Sequence, residues 1–306
     1  MSGVSTQPKI TSGGVELSQD PQDFGFLRSS NDLIGDFDAL QMRLDEDGYL
    51  YLPGFLDQEE VREVRRSITQ VFGDEGHLNP DFPVLDAVAR EGLEMYFRAD
   101  IANKNQPLKN LIYSDHVMAL YTGLLGGPAM HYDYTWMRAI APGKGTFPHC
   151  DIVYMGRGTK HVLTAWVPLG DVPLNVGGLV LMPGSHKIQW LKENYGTLDV
   201  DSACSNVFGK NQTAAAGFEA NGAIQSDPEA LRIRLGGKWC TAREYKMGDL
   251  LTFSVFTVHG SLDNHSNEIR LSSDSRYQLA SEPADERWIG DDPISHGPNA
   301  KKSLIC

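Results

Sequence analysis

The stretch IRLSSDSRYQL, residues 269–279, decides the fold because its side chains alternate as they would in one wall of a β-barrel. Neighbouring side chains of a strand point to opposite faces. One face would be apolar, and the other would carry only polar side chains: Arg270, Ser272, Asp274, Arg276 and Gln278. A polar face usually lies in solvent. Alternatively it lines a polar barrel interior that binds an anion, and the residues upstream must separate these two interpretations.

Other short segments around this strand are also rich in β-branched and aromatic residues, with Gly or Pro between them. We expect strands at 131–140, 147–155, 162–169, 178–182, 249–254, 257–262 and 268–280. Many short strands separated by turn residues are typical of a β-sandwich or barrel.

The chain before residue 126 has helical periodicity instead. The run from Asp36 to Asp47 predicts a helix that Gly48 ends, and residues 49–53 predict a short strand. A second helix begins after Asp57, with a glutamate three residues on as in a capping box. Further helices are expected near residues 91–103 and 114–125. The predicted class is therefore mainly β with flanking helices.

Two segments fit neither pattern. Residues 1–34 are rich in Ser, Gly, Gln and Asp without a period, and we expect an N-terminal tail or loose cover. Residues 184–247 form a long insert between strands, and such inserts usually contribute a lid or a substrate wall. The expected organisation is a single domain over residues 35–306, because one barrel with added helices can reach this length.

Composition narrows the class of partner. The chain has 306 residues, 41% of them hydrophobic and 22% charged, with a formal net charge of -13. The acidic balance argues against nucleic acid or an anionic membrane as the main partner. The sequence does not indicate an oligomeric state.

The cysteines and the N-terminus bear on location. The four cysteines are widely spaced without a CxxC pair, which argues against a zinc ribbon and suits a reducing compartment better than a disulfide framework. The first residues do not resemble a signal peptide, and no stretch has the apolar length that a membrane span needs. We expect a cytoplasmic protein.

A candidate metal site comes from three residues. His149 and Asp151 would share one face of a strand, and His259 would come from a distant strand. Two histidines and one carboxylate leave three coordination positions open and suit iron(II) in oxygenases. In such a site 2-oxoglutarate would take two open positions and dioxygen the third. The short motif is weak alone, since His131 and Asp133 repeat it and a lone histidine is more often structural.

Arg270 strengthens the assignment. It lies eleven residues after His259, on the polar face of the strand predicted at residues 269–279. A guanidinium offers a planar fork to a carboxylate. We therefore predict that the polar face is interior and that Arg270 binds the distal 5-carboxylate of 2-oxoglutarate.

From about residue 40 onward the chain resembles the phytanoyl-CoA dioxygenase-like (PhyH) family of iron(II)/2-oxoglutarate oxygenases. The resemblance lies in four segments, in order: DEDGYLYLPGFLDQEEVREVR (45–65), His149-Cys-Asp151 with TAWVPL (164–169), GGLVLMPGSHK (177–187), and a closing motif from Gly248-Asp249 through His259, Ser261 and Arg270 to Arg276-Tyr277. The order and spacing of four such segments are specific.

The resemblance implies a double-stranded β-helix, the jelly-roll or cupin-like barrel. It implies that His149, Asp151 and His259 form the catalytic metal centre, with iron(II), 2-oxoglutarate and dioxygen as cofactor and cosubstrates. The reaction would oxidise a small organic substrate and release succinate and carbon dioxide. Halogenases of this architecture lack the carboxylate, so Asp151 favours hydroxylation or a related desaturation, epoxidation or ring closure.

By the same resemblance, the Ser261 hydroxyl would help Arg270 to bind the 5-carboxylate of 2-oxoglutarate, and Trp166 would line the 2-oxoglutarate pocket. A packed core aromatic explains Trp166 equally well.

Substrate residues are predicted from the strand at 131–140. Tyr134, Trp136 and Arg138 share one face and would form pocket walls if that face points inward. Arg138 or Arg276 would then meet an anionic substrate, although surface ion pairs explain them equally well.

Two alternatives to the oxygenase stay open. One is a barrel that binds zinc and acts as an isomerase or hydrolase, although zinc prefers more His or Cys ligands. The other is a barrel that binds a ligand without turnover. Succinate release that depends on iron and 2-oxoglutarate separates both from an oxygenase.

Overall fold

Helices occupy much of the chain before residue 126, and shorter ones lie in the loops that follow. The structure is a computed structural model that describes residues 9–207 and 210–305. Its α-helices are α1 (Phe37–Asp47), α2 (Gln58–Asp74), α3 (Ala99–Ala102), α4 (Gln106–Ile112), α5 (Asp115–Leu125), α6 (Ile152–Met155), α7 (Gln189–Glu193), α8 (Gln212–Ala215) and α9 (Pro228–Leu235).

Strands dominate the rest of the chain. They are β1 (Thr11–Ser12), β2 (Val15–Glu16), β3 (Phe24–Phe26), β4 (Tyr49–Leu52), β5 (Ala129–His131), β6 (Trp136–Ile140), β7 (Leu163–Pro168), β8 (Val172–Pro173), β9 (Leu179–Leu181), β10 (Ser202–Cys204), β11 (Trp239–Thr241), β12 (Glu244–Tyr245), β13 (Leu250–Ser254), β14 (His259–Ser261), β15 (Arg270–Leu279) and β16 (Lys302–Leu304). The larger sheet has the order β4-β13-β7-β15-β5, with β6 also paired to β15, and a smaller sheet has the order β14-β9-β11-β3.

Alternation along the strands of the larger sheet separates its two faces. On β7, Leu163, Ala165 and Val167 pack into an apolar cluster with side chains of α1, α2, α4 and α5. On β15, Leu271 and Tyr277 join the same cluster. The intervening polar residues of β15 are buried on the opposite face, so the prediction of a polar barrel interior is confirmed.

The main helices begin and end where the sequence predicts. The carboxylate of Asp36 accepts a hydrogen bond from the Ala39 amide at the start of α1, and Gly48 ends that helix with a φ of 81°. Asp57 caps α2 in the same way. The prediction of a helix at 91–103 is largely wrong, because α3 (Ala99–Ala102) is the only α-helix in that range.

The strand predicted at 147–155 is also wrong. His149 makes an isolated antiparallel bridge with His259, in which each backbone amide donates to the other residue's carbonyl at 2.9 Å. Asp151 then has helical dihedrals and begins the short helix α6. The strand predicted at 131–140 is divided into β5 and β6, because the amides of Asp133 and Tyr134 both donate to the Trp288 carbonyl.

The N-terminal segment is part of the fold. Strand β3 extends the smaller sheet by parallel pairing with β11, and Ile10, Leu17 and Phe24 are buried in an apolar cluster. Residues 9–34 are therefore not a loose tail, and residues 1–8 lie outside the described residues. The buried Asp263 carboxylate fastens this segment by accepting hydrogen bonds from the Gly13, Gly14 and Gly145 amides at 2.7–2.8 Å.

We expect Asp263→Ala to destabilise the protein strongly, because three backbone amides lose their acceptor. Each buried donor left without a partner costs about 1–3 kcal/mol, so the free energy of unfolding should fall by about 3 kcal/mol or more. Urea denaturation measures the change. Asp263→Asn keeps one acceptor oxygen and should lose less, whereas an Ala variant as stable as the natural protein would contradict this role.

Cysteine pairing differs in part from the prediction. Cys204 is disulfide-bonded, so the prediction against disulfides is wrong for this residue. Cys150 and Cys240 are free thiols, and Cys306 lies outside the described residues. Within the described ranges, no helix has the length and apolar character to cross a membrane.

Candidate active site

Three buried side chains meet inside the barrel, between the larger and the smaller sheet. Nε2 of His149 and Nε2 of His259 each lie 3.7 Å from Oδ1 of Asp151. One ligand atom from each residue lies within 4.8 Å of the other two, and no other such group of His, Cys, Asp or Glu occurs in the part of the chain that the structure describes. The structure therefore brings together the three residues predicted to bind the metal.

Both histidines are oriented by the backbone. Nδ1 of His149 donates to the Phe147 carbonyl at 2.8 Å, and Nδ1 of His259 donates to the Thr257 carbonyl at 3.0 Å. Because a carbonyl can only accept, the proton resides on Nδ1 and the Nε2 lone pair is free for a metal. Burial lowers the pKa of both imidazoles, that of His149 to about 3, which keeps them in the neutral, metal-binding form.

The two oxygens of the Asp151 carboxylate have different neighbours. Oδ2 accepts a hydrogen bond from the Thr164 hydroxyl at 2.6 Å and pairs with Nη2 of Arg276 at 3.0 Å. Oδ1 faces the histidines. Burial opposes ionisation, but Arg276 and the two imidazoles hold the pKa of Asp151 below its usual range. The carboxylate is therefore charged and offers one oxygen to a metal.

Arg276 lines the cavity beside the metal cluster, and the substrate contact predicted for it stays a prediction. Its side chain is 2% exposed, and its guanidinium contacts Asp151, Met155 Sδ at 3.1 Å and the Trp136 ring, whose centre lies 4.7 Å away. These contacts suit a positioning residue that orients the Asp151 carboxylate.

We expect Arg276→Gln to weaken iron(II) binding about 10–100-fold, the usual effect of losing a group that orients a metal ligand. Anaerobic calorimetry with iron(II) measures the affinity, and Arg276→Lys should lose less because it keeps a charge. Arg232→Gln is the matched control. Arg232 also forms ion pairs, with Asp23 and Glu229, but it lies on α9 and not among the residues that line the cavities. Unchanged iron affinity in Arg276→Gln would contradict the positioning role.

Arg270 is a buried cation without a carboxylate partner. It is 2% exposed, and Nη1 donates to the Gly177 carbonyl at 3.1 Å. Nε is buried without a hydrogen-bond partner, and within the described ranges no carboxylate lies within 4.0 Å of the guanidinium. Burial lowers its pKa to about 10. A buried charge without a partner is costly, so this environment is suited to an anionic ligand.

Two cavities adjoin at the His–Asp cluster. A small recess is lined by Arg270, Trp166 and His259, and an outer cavity has a volume of about 320 Å³. Both cavities are lined by Arg138, Thr146, His149, Asp151 and Arg276. Trp166 lines the recess and also packs edge-on against Tyr245.

Ser261 contacts Thr146, a residue that lines both cavities. Its hydroxyl oxygen accepts a hydrogen bond from the Thr146 amide and bonds to the Thr146 hydroxyl, both at 2.8 Å. The role predicted for Ser261, to help Arg270 bind the 5-carboxylate, stays a prediction.

The predicted substrate residues lie at two different sites in the structure. Trp136 and Arg138 line the outer cavity. Tyr134 instead packs against Trp136 and Trp288 and lines a separate groove on the outer surface.

The second His-x-Asp pair lines that same outer groove. His131 stacks on Tyr113, and the Asp133 carboxylate accepts from the Gly290 amide. The pair that repeats the motif therefore lies away from the candidate metal site.

Several cavity residues were not predicted. Thr164 alternates with Trp166 on the inward face of β7, and this periodicity could have identified it. Others come from loops, in which no period indicates direction, and they include Tyr96, Phe97, Phe147 and His296. Tyr154 comes from the short helix α6, which the sequence did not predict. Asn221 and Ala223, which belong to the 184–247 insert, also line the outer cavity.

Residues 44–272 match the phytanoyl-CoA dioxygenase (PhyH) family. The chain is 28% identical over 269 residues to 1-deoxypentalenic acid 11-beta-hydroxylase of Streptomyces exfoliatus, covering 81% of this chain and 83% of that protein. It is 23% identical over 245 residues to ectoine dioxygenase of Halomonas elongata, covering 78% of this chain and 69% of that protein.

Solved structures share the fold. The epimerase SnoN, in complex with Fe3+, alpha ketoglutarate and nogalamycin RO, has a TM-score of 0.55 at 21% identity, with 88% of this chain and 95% of that chain covered. EctD from S. alaskensis, with 2-oxoglutarate and 5-hydroxyectoine, has a TM-score of 0.56 at 16% identity, with 98% and 97% covered. These similarities confirm the predicted barrel class.

Proposed function

The chain belongs to the phytanoyl-CoA dioxygenase (PhyH) family, and we propose that it hydroxylates a carbon of a small organic substrate. It is an oxygenase that depends on iron and 2-oxoglutarate. When bound, the iron and 2-oxoglutarate supply an oxidant from dioxygen, with succinate and carbon dioxide as coproducts.

One observation carries the proposal: two neutral histidines and one charged aspartate lie beside a buried arginine that has no carboxylate partner among the described residues. His149, His259 and Asp151 would hold iron(II) through two Nε2 atoms and Oδ1. This donor set suits iron(II) with open positions. Arg270 would bind the distal carboxylate of 2-oxoglutarate, since its guanidinium lies in the adjoining recess.

The surrounding residues prepare the site without acting on the substrate. The Phe147 and Thr257 carbonyls fix the imidazole rings, and Arg276 keeps the Asp151 carboxylate charged. Aromatic side chains of the outer cavity exclude water around the reacting carbon, which protects a reactive site from side reactions. The protein thus contributes orientation and exclusion of solvent.

The carboxylate at Asp151 argues against halogenation, because halogenases of the same architecture lack it. Among the remaining reactions, a relative named as a hydroxylase supports hydroxylation. Desaturation and ring closure use the same ligands, but each removes two hydrogen atoms and gives a product two mass units lighter than the substrate. Epoxidation adds 16 mass units as hydroxylation does, and the NMR spectrum of the product distinguishes these two reactions.

The proposal is tested by following succinate formation in air with purified protein, 2-oxoglutarate and a panel of small organic molecules. We expect succinate only when iron(II) and 2-oxoglutarate are both present, and a product 16 mass units heavier than one panel member, the mass of the oxygen atom that a hydroxylation inserts. Zinc(II) replaces iron(II) in the control, because it occupies the site without redox chemistry. Turnover of a panel member with zinc alone would favour the isomerase or hydrolase alternative.

A further inference from the structure

The outer cavity has largely aromatic walls. Its volume of about 320 Å³ lies in the range of small-molecule sites, and Tyr96, Phe97, Trp136, Phe147 and Tyr154 line it. Such walls bind a compact apolar body through burial of its surface. The cavity also reaches His149 and Asp151, so a molecule bound there lies beside the metal cluster.

Arg138 places a positively charged guanidinium at the wall of this cavity. Its Nε donates to Oδ2 of Asp274 at 3.2 Å, and its guanidinium lies 5.5 Å from the centre of the Phe97 ring. Within the described ranges, neither terminal nitrogen has a hydrogen-bond partner. The side chain is 21% exposed, against 2% for Arg276, whose terminal nitrogen pairs with Asp151.

The charges around the two cavities are not balanced. Three guanidinium groups, those of Arg138, Arg270 and Arg276, face two carboxylates, those of Asp151 and Asp274. The charges of iron(II) and of 2-oxoglutarate cancel each other, so one positive charge remains when both are bound. The whole chain is acidic, with a formal net charge of -13. The excess positive charge is therefore local to the cavity.

We propose that the substrate carries one carboxylate, or another singly charged oxyanion, on a compact apolar body, and that the terminal nitrogens of Arg138 bind this group. A guanidinium fork matches a carboxylate in shape and charge. The aromatic walls hold the hydrocarbon body, and the anion fixes which carbon lies next to the metal. This inference rests on the proposed function for the identity of the reacting site.

The test uses pairs of probes that differ only in charge. Adamantane-1-carboxylate and adamantane-1-carboxamide share a rigid hydrocarbon body, and cyclohexane and cinnamic carboxylates with their amides give two further pairs. Each is titrated calorimetrically into anaerobic protein loaded with iron(II) and 2-oxoglutarate. We expect at least one acid to bind about tenfold or more tightly than its amide, and Arg138→Gln to remove that preference while amide binding stays unchanged.

A double variant guards against misfolding. Arg138→Gln alone leaves the buried Asp274 without its partner, so Arg138→Gln with Asp274→Asn removes both charges together. This variant should also bind acid and amide equally. A separate titration of 2-oxoglutarate into the iron-loaded variant measures the affinity for the cosubstrate. Loss of that affinity in Arg138→Gln, with the acid preference retained, would make Arg138 a cosubstrate residue and overturn the inference.

The remaining outcomes are also decisive. If no acid binds the natural protein more tightly than its amide, the inference is wrong even though 2-oxoglutarate binds. If 2-oxoglutarate itself does not bind the natural protein, the proposed function fails. An acid preference that still depends on Arg138 would then support the anion site on its own.

Discussion

Asp151→Ala should abolish iron-dependent turnover, whereas Asp133→Ala should leave it unchanged. Asp151 offers Oδ1 at 3.7 Å from both imidazole Nε2 atoms, so its removal takes away one of three metal ligands. Loss of a group that only supports a ligand costs about 10–100-fold in affinity or activity, and loss of the ligand itself should cost at least about a hundredfold. Iron affinity and succinate formation measure the two consequences.

The two aspartates form a matched pair, because each follows a histidine by two residues in the sequence. Asp133 lies in the outer groove and accepts from the Gly290 amide. Asp151→Asn adds a second control, since it keeps the size of the side chain but removes the charge that Arg276 faces. Loss of turnover in Asp133→Ala, with activity retained in Asp151→Ala, would show that the wrong metal site has been assigned.

Arg270→Leu should weaken 2-oxoglutarate binding about a hundredfold or more. A buried hydrogen bond to a charged group contributes about 1.5–3 kcal/mol, and a fork that makes two of them contributes correspondingly more. Each 1.4 kcal/mol is a factor of ten in the dissociation constant. Anaerobic titration of the iron-loaded variant with 2-oxoglutarate measures the affinity.

The same substitution should leave the ligand-free protein as stable as before, or more stable. Arg270 is buried with Nε unpaired and burial depresses its pKa, so leucine removes an unfavourable charge. Adding 2-oxoglutarate should raise the melting temperature of the natural protein and not that of the variant. A variant that is strongly destabilised without ligand, and that still binds 2-oxoglutarate normally, would show that Arg270 is structural.

Arg65→Gln is the matched control for this experiment. Arg65 is also a buried arginine, but its guanidinium donates to the carbonyls of Leu85, Asp86 and Leu169. Its substitution leaves backbone acceptors unpaired and should lower stability. It should not change the affinity for 2-oxoglutarate.

The polar face of β15 was predictable from the sequence because strand alternation is a local property. Arg270 and Arg276 lie inside the barrel, while Leu271 and Tyr277 pack against the helices. The capped helices α1 and α2 were predictable for the same reason, since the residue before each of them is an aspartate whose side chain caps the helix. Local rules of geometry identify such elements without a tertiary structure.

The positions of other residues depend on long-range contacts and were not predictable. Asp151 reaches the metal cluster from the start of a helix and not from a strand, because the chain turns after the His149 bridge to His259. Arg276 contacts Asp151 across a distance in sequence that no spacing rule covers. Ser261 bonds to Thr146, a loop residue whose position depends on the completed barrel.

The most direct test is a crystal structure of the protein prepared anaerobically with iron(II) and 2-oxoglutarate. We predict density for one metal ion bound by Nε2 of His149, Nε2 of His259 and Oδ1 of Asp151, with the far carboxylate of 2-oxoglutarate against Arg270. A metal ion elsewhere, or a cosubstrate whose carboxylate lies away from Arg270, would contradict this account of the active site.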